Sequence, residues 1–296
     1  MAEALVALGR SVELQLVRGS LSRVEADRAA SARLAVLAAA APTMQGAVVV
    51  VDLPDPNEHL GINPGELVVF DDGDRFGGRA AIVVQPSQET WSGPGHADIV
   101  LAGAAFAPIA AAFRRLRTAG MAGRDPGEES LVVASFGGSD PGHVGERLLP
   151  ALESGPGWRT ELIVGATYEG MTDGWPVAVV HDPGDLAEHL AAADLLVLGA
   201  GTMKFEAACL GRPAILVAVA DDQLAVGPSY AELGAAIYLG DGRTVELRRV
   251  RAAIEDLLRN PERREALGRR AAEIVDGRGA ERIAGAIARL PGGGAG

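Results

Sequence analysis

The sequence predicts an α/β fold in which two Rossmann-like domains each carry a parallel sheet. Short runs rich in Val, Ile and Leu alternate with longer stretches rich in Ala, Leu, Arg and Glu, which is the pattern of βα units. The length of 296 residues is sufficient for two domains. Residues 119–129 are polar and glycine-rich and contain a proline, so we interpret them as a linker between an N-terminal domain, 1–118, and a C-terminal domain, 130–296.

Each predicted strand of the N-terminal domain is a short, nearly continuous apolar run, as expected when helices cover both faces of a sheet. These strands are residues 12–17, 47–51, 67–70, 80–84 and 99–101. Two stretches have helical composition, at 23–40 and 108–117.

The C-terminal domain repeats the alternation over a longer stretch. Its predicted strands are residues 131–135, 161–164, 177–180, 195–198, 214–217 and 236–238. Three helices follow, at 247–259, 261–275 and 280–290, and the proline after Asn260 separates the first two because it suits a first helical position. Ligands of such sheets bind in the loops at the carboxyl ends of the strands, so the chemistry is expected there.

The charge balance argues against a nucleic-acid scaffold. The chain has 27 basic and 39 acidic residues, a net charge of −12, whereas phosphate binding of that kind needs a basic face. No apolar run reaches the ~20 residues that a membrane helix needs. The first residues show no basic segment followed by an apolar one, so we expect no secretory signal and a cytoplasmic protein.

We expect no metal and no cofactor by default, and the cysteine and histidine content argues against a zinc site. Cys209 is the only cysteine, which excludes an intramolecular disulfide and a cysteine-based zinc site. The five histidines have no zinc-ligand spacing.

The first candidate loop contains Gly137, Gly138 and Ser139, directly after a predicted strand and before a helical stretch. Paired glycines let the backbone approach an anion closely, and the helix start that follows offers unpaired N–H groups. Ser139 adds a hydroxyl donor. The alternative is a plain turn in which Asp140 caps the helix, and both interpretations remain open.

The second candidate loop contains Gly199, Gly201 and Thr202 and gives the strongest signal, because strand, small-residue turn, helix and strand follow one another. Glu206, in the first or second turn of that helix, could accept hydrogen bonds from the two ribose hydroxyls of a nucleotide. The alternative is a surface carboxylate that complements the helix dipole. Lys204, the only lysine, is predicted to face solvent.

The third candidate loop contains Asp221, Asp222 and Gln223, after the predicted strand 214–217. Carboxylate and amide groups at a strand end can bind sugar hydroxyls. The same composition also fits an exposed helix cap, and this signal is weak by itself.

The chain resembles a family of nucleotide-sugar proteins over about residues 128–290. The resemblance lies in VVASFGGSDPGHVGERLLPAL, ADLLVLGAGTMKFEAACLGRPAILVAVADDQ and IVDGRGAERIAGAI. The family comprises the UDP-2,4-diacetamido-2,4,6-trideoxy-altropyranose hydrolases of pseudaminic acid synthesis and the related spore-coat polysaccharide proteins. It is similar in turn to the N-acetylglucosaminyltransferase that completes lipid II. The resemblance implies the GT-B architecture, with two Rossmann-like domains facing a cleft that holds the nucleotide sugar.

The resemblance also implies a reaction and a set of roles. The substrate would be a UDP-linked amino-deoxy sugar of cell-surface glycan or nonulosonic acid biosynthesis, cleaved at its anomeric carbon with UDP leaving. The diphosphate would lie near backbone groups, the ribose near a carboxylate and the sugar near an amide. The resemblance puts Glu206 at the ribose, Gln223 at the sugar and five residues at the diphosphate: Gly137, Gly138, Ser139, Gly201 and Thr202. Gly199 is also predicted to belong to the nucleotide-sugar-binding site, without a role of its own.

The sequence departs from the family pattern at its start. In the family a catalytic histidine lies in a G-x-G-H-x-x-R loop after the first strand, and the chain as given has neither that strand nor that loop. Either the start lies downstream of the true one, or the chain is a divergent relative. We therefore name no catalytic base. Three functions stay open: a nucleotide-sugar hydrolase, a GT-B glycosyltransferase, and a nucleotide-sugar-binding protein or partner subunit without turnover.

Overall fold

A computed structural model of the chain describes residues 13–15, 35–37, 48–51, 66–119, 128–140 and 142–290. Parallel sheets together with helices make up these residues, so the predicted α/β class with parallel sheets is confirmed. The strands are β1 Glu13–Gln15, β2 Ala35–Leu37, β3 Val48–Val51, β4 Glu66–Phe70, β5 Arg79–Gln85, β6 His96–Ala102, β7 Ser130–Ser135, β8 Trp158–Val164, β9 Ala178–His181, β10 Leu195–Gly199, β11 Ala214–Ala218 and β12 Ile237–Asp241. The α-helices are α1 Ala111–Ala119, α2 Val144–Leu152, α3 Leu186–Ala192, α4 Met203–Cys209, α5 Asp222–Glu232, α6 Leu247–Arg259, α7 Pro261–Ile274 and α8 Gly279–Ile287.

Each predicted strand overlaps an observed one, and the predicted helix 247–259 coincides with α6. The break that follows α6 is also confirmed. The side chain of Asn260 accepts a hydrogen bond of 3.1 Å from the backbone N–H of Arg263, and Pro261 occupies the first turn of α7. An asparagine cap with proline directly behind it is a strong helix start, since it satisfies one orphan donor and removes another.

One predicted helix is wrong in part. The prediction placed a helix over 23–40, but Ala35–Leu37 is a strand that pairs with β1 in parallel, Leu14 opposite Val36. The surrounding alanines favour a helix by local propensity, whereas strand pairing is a tertiary effect that propensity does not contain. The rest of that predicted helix lies outside the described residues.

The chain divides into two compact units, Met1–Pro108 with Arg278–Gly296, and Ile109–Gly277. This division differs from the predicted domains, 1–118 and 130–296, at both ends. Helix α1 belongs to the second unit, where the guanidinium of Arg117 donates hydrogen bonds to the carbonyl oxygens of Cys209, Ala272 and Val275. Helix α8 belongs to the first unit. Most of the predicted linker, 119–129, lies outside the described residues.

The first unit contains a parallel sheet in the order β3-β4-β5-β6. Successive side chains of its strands point to opposite faces, so two separate apolar clusters form. On one face Val68 and Ile82 pack with Ile283 and Ile287 of α8, which explains why the last helix returns to this unit. On the other face, Val69 and its neighbours pack around the fully buried ring of Phe76.

The second unit contains a parallel sheet in the order β12-β11-β10-β7-β8-β9. All residues of β10 and β11 are buried, as their continuous apolar sequences predict for central strands. From β7 the chain first builds the sheet outwards through β8 and β9, then crosses to β10 and builds the other half. The direction of growth therefore reverses between β7 and β10, and such a switch point leaves a crevice at the carboxyl ends of the two strands.

Among the described residues, no helix is long and apolar enough to cross a membrane.

Candidate functional site

Two of the predicted loops leave the sheet of the second unit at its switch point. Strands β7 and β10 pair in register, with Ser135 opposite Leu198, so the loops after them start side by side. The buried Gly199 packs directly on the first loop, because a Cβ atom built on it would lie 3.7 Å from the carbonyl carbon of Phe136. The structure thus brings the two glycine loops together at the edge where ligands of this fold class bind.

The two loops present a set of unpaired backbone donors. Five backbone N–H groups of these loops donate no hydrogen bond to another described residue. They are the N–H groups of Gly137, Gly138, Ser139, Gly201 and Thr202. Three of these residues, Gly138, Ser139 and Thr202, are exposed to solvent. Five unpaired N–H groups at one sheet edge form an environment that favours an anion.

Asp140 completes the first loop as a helix cap. Its carboxylate accepts hydrogen bonds from the N–H groups of Val144 and Gly145, at 3.0 and 2.7 Å. Asp140 therefore occupies these two N–H groups of α2 with its side chain, whereas His143 is the residue at the N-terminal cap position. Burial raises the pKa of Asp140, although both N–H donors oppose the change. An anion at this loop would meet the N–H groups of residues 137–139 rather than those of α2.

Glu206 lies in the first turn of α4 and is partly buried. Its carboxyl group has no hydrogen-bond or ion-pair partner among the described residues. Burial raises its pKa from 4.5 to about 7. A desolvated carboxyl without a partner is costly, and such groups cluster at functional sites. Its position in the first turn of α4 also fits the alternative of a carboxylate that complements the helix dipole.

Gln223 connects the third loop to the second. Its side-chain oxygen accepts a hydrogen bond of 3.1 Å from the N–H of Val219, at the end of β11. Its amide nitrogen lies beside Gly201, where a Cβ atom would be 3.3 Å away. Asp221, by contrast, pairs with Arg243 at 2.6 Å. Of this loop, Gln223 therefore adjoins the other candidate residues with its amide donor.

Lys204 is buried, and the prediction that it faces solvent was wrong. Its side chain is 2% exposed. The ammonium donates hydrogen bonds to the carbonyl oxygens of Ala200 and Gly201, at 3.0 and 3.2 Å. Helical side chains lean back towards the N-terminus, and this orientation carries the ammonium of a first-turn lysine under the preceding loop. The signal in the sequence was that this is the only lysine among 27 basic residues.

Gly165, at the end of β8, is a second residue that the sequence did not reveal. A Cβ atom built on Gly165 would lie 2.4 Å from both the Cα and the carbonyl oxygen of Gly138. The two backbones are in direct contact, which only glycine permits. The loop after β8 therefore supports the first candidate loop from the side opposite β10.

The described residues include no group of three or more His, Cys, Asp or Glu side chains that could hold a metal ion.

Comparisons with known proteins agree with the fold. No family model matches the chain. The spore coat polysaccharide biosynthesis protein SpsG of Bacillus subtilis (strain 168) is 23% identical over 162 residues, which are 51% of this chain and 48% of SpsG. The match thus spans about half the length of that relative.

Two solved glycosyltransferase structures resemble the chain over nearly its whole length. The calicheamicin glycosyltransferase CalG4 has a TM-score of 0.57 at 14% identity and covers 98% of this chain and 94% of its own. WaaG, a glycosyltransferase involved in lipopolysaccharide biosynthesis, has a TM-score of 0.50 at 14% identity, with coverages of 98% and 94%. At these identities the likeness concerns the fold, and the fold is of the GT-B type.

Proposed function

We propose that this chain binds a UDP-sugar at the switch point of its second unit and releases UDP from it as a hydrolase of cell-surface glycan biosynthesis. The observation that carries the proposal is the set of five N–H groups that have no partner among the described residues, together with a carboxyl group, likewise without a described partner, in the first turn of the helix that follows the second loop. Anion donors beside a hydroxyl acceptor match the two ends of a nucleoside diphosphate, whose phosphates need N–H groups and whose ribose needs an acceptor.

The roles follow from the chemistry of each group. The N–H groups of residues 137–139 and of Gly201 and Thr202 would hold the diphosphate, and the hydroxyls of Ser139 and Thr202 would add donors. As the bond at the anomeric carbon breaks, negative charge develops on the leaving UDP, and fixed N–H donors stabilise that charge without a metal ion. Glu206 would accept the ribose hydroxyls, and the amide nitrogen of Gln223 would donate to the sugar or the adjoining phosphate.

The names of two similar proteins support a role in glycan biosynthesis. SpsG is a protein of spore coat polysaccharide biosynthesis, and WaaG acts in lipopolysaccharide biosynthesis.

A glycosyltransferase is the second candidate, favoured by the likeness of the fold to CalG4 and WaaG. The two candidates share the bond that breaks and the group that leaves. They differ in the acceptor, which is water for the hydrolase and a hydroxyl compound for the transferase.

Two measurements test the proposal. Titration calorimetry with UDP should show saturable binding, and the absence of binding would overturn the site. UDP release is then followed with a panel of UDP-amino sugars. Release without any added acceptor supports the hydrolase, and release that requires an added hydroxyl compound supports the transferase. Binding without release under either condition would identify a binding protein without turnover.

Variants at Glu206 test the ribose contact. Glu206→Ala should weaken UDP binding by about 1–3 kcal/mol, the range for a hydrogen bond to a charged group. Glu188→Ala is the matched control, because Glu188 is an exposed carboxylate on the neighbouring α3. Equal affinities for both variants and the unmodified chain would show that Glu206 does not contact the nucleotide.

A further inference from the structure

Lys204 occupies a position that is unfavourable for a cation. The side chain is 2% exposed, and withdrawing an ammonium group from water costs several kcal/mol. The residue also lies in the first turn of α4, where the positive end of the helix dipole favours carboxylates. An apolar side chain such as Met would fill the same volume without either cost. Hydrogen bonds to the carbonyl oxygens of Ala200 and Gly201 offset part of this cost, and they also affect the second loop.

The hydrogen bonds of Lys204 determine where the second loop directs its N–H groups. In a trans peptide the C=O and N–H of one unit point in opposite directions. The carbonyls of Ala200 and Gly201, which accept from the ammonium, share their peptide units with the N–H groups of Gly201 and Thr202. Because both carbonyls are turned towards the ammonium, both N–H groups are turned away from it. These are two of the five donors that have no partner among the described residues.

We infer that Lys204 is a positioning residue for an anionic ligand: it orients the N–H groups of Gly201 and Thr202 towards a diphosphate and adds its positive charge beneath them. The inference rests on the proposed function and names the residue that determines how tightly the diphosphate part of the ligand is bound. Affinity for the diphosphate then depends on a buried charge behind the loop, in addition to the backbone that contacts the ligand.

The aromatic side chains around the ammonium strengthen its effect. The ammonium nitrogen lies 4.3 Å from the ring centre of Phe205 and 5.9 Å from that of Tyr230. Both rings stabilise a cation through their faces and exclude water from it. Burial raises the pKa of Tyr230, so this phenol stays neutral and does not cancel the lysine charge. A charge in such surroundings is weakly screened and acts on a nearby diphosphate.

Lys204→Met tests the inference, because Met keeps the length of the side chain and removes its charge. Titration calorimetry compares UDP with uridine, which has the same base and ribose but no phosphate. We expect the variant to lose at least tenfold in UDP affinity and to keep its uridine affinity within about twofold. Arg269→Met, at an exposed arginine, controls for the change in net charge and should leave both affinities unchanged.

Equal losses for both ligands, or no loss for either, would overturn the positioning role. If the unmodified chain binds no UDP, the proposed function fails before the inference is reached, and the two failures are thereby distinguished.

The unmodified chain allows a second test that does not depend on the folding of a variant. Lys204 carries the only lysine amine, so reductive methylation of this residue can be followed by mass spectrometry of its peptide. Because the amine lies behind the second loop, its modification requires that loop to open. UDP, once shown to bind, should slow the modification at least fivefold, whereas uridine should not. An unchanged rate in saturating UDP would contradict the inference.

Discussion

The carboxylate of Asp140 accepts a hydrogen bond of 2.7 Å from the N–H of Gly145, in the first turn of α2. The approach is close, since a Cβ atom on Gly145 would lie 3.1 Å from the same carboxylate oxygen, a tight contact that a larger residue would have to relieve by a small shift. Asp140 itself has a φ of +38°, a conformation that aspartate tolerates better than most residues. The side chain of Asp140 therefore links the end of the first candidate loop to the first turn of α2 through two hydrogen bonds.

Loss of this cap should destabilise the second unit. Asp140→Ala removes the acceptor of two N–H groups, and we expect the free energy of unfolding to fall by about 1–2 kcal/mol in urea denaturation. Asp140→Asn keeps one acceptor and the tolerance of positive φ, so its loss should be smaller. Asp173→Ala, at an exposed aspartate, should stay within about 0.5 kcal/mol of the unmodified chain. Equal stabilities for all four proteins would contradict the capping role.

The attachment of α1 to the second unit yields a second prediction. Arg117 donates three hydrogen bonds of 2.9–3.0 Å to carbonyl oxygens at the ends of α4 and α7. Arg117→Ala leaves these carbonyls without their donor, and we expect a loss of about 2–4 kcal/mol, since hydrogen bonds to charged groups are the strong ones. Arg269→Ala removes an exposed guanidinium from α7 and should be nearly neutral. A similar effect of both substitutions would show that α1 is not held through Arg117.

The positions of the central strands β7, β10 and β11 were predictable because these strands are buried on both faces and therefore read as apolar runs. The loops of the candidate site were predictable for a related reason: the carboxyl ends of parallel strands share one edge, so glycines after β7 and β10 must meet. The burial of Lys204 was not predictable from periodicity. A lysine in a first turn reads as a surface residue until the carbonyls that it binds are known.

The boundaries of the two compact units could not be predicted from the local sequence either. The polar stretch 119–129 looks like a boundary, yet α1 before it is held by carbonyls that lie more than 90 residues further along the chain. Helix α8 follows α6 and α7 in the chain, and its sequence does not tell which sheet it covers. Strand β2 was missed because three residues give too short a pattern to oppose the helical propensity around them.

Three glycines of the site should respond differently to alanine. Gly137 has a φ of +100° in open space, so Gly137→Ala should cost about 1 kcal/mol through backbone strain alone. Gly138→Ala meets only the Thr167 hydroxyl at an ordinary 3.5 Å and should be milder. Gly165→Ala would force a Cβ to within 2.4 Å of the Gly138 backbone and should cost the most, about 2 kcal/mol or more. Thermal and urea unfolding of the three variants measures the order, and a different ranking would contradict this loop geometry.

The desolvated carboxyl of Glu206 should make stability depend on pH. Its pKa rises from 4.5 in the unfolded chain to about 7 in the folded one, so between these values the folded state binds more protons. Stability therefore decreases as pH rises through this window. Glu206→Gln carries no such carboxyl, so its free energy of unfolding should rise relative to that of the unmodified chain as the pH increases. We expect this difference to be larger at pH 8 than at pH 5 by about 1–3 kcal/mol, which allows for the partial exposure of Glu206. Urea denaturation at both pH values measures the difference, with Glu188→Gln as the control that should show none. An equal gain at both pH values would mean that Glu206 is ionised and solvated in the folded chain, and its desolvation would then no longer mark a binding site.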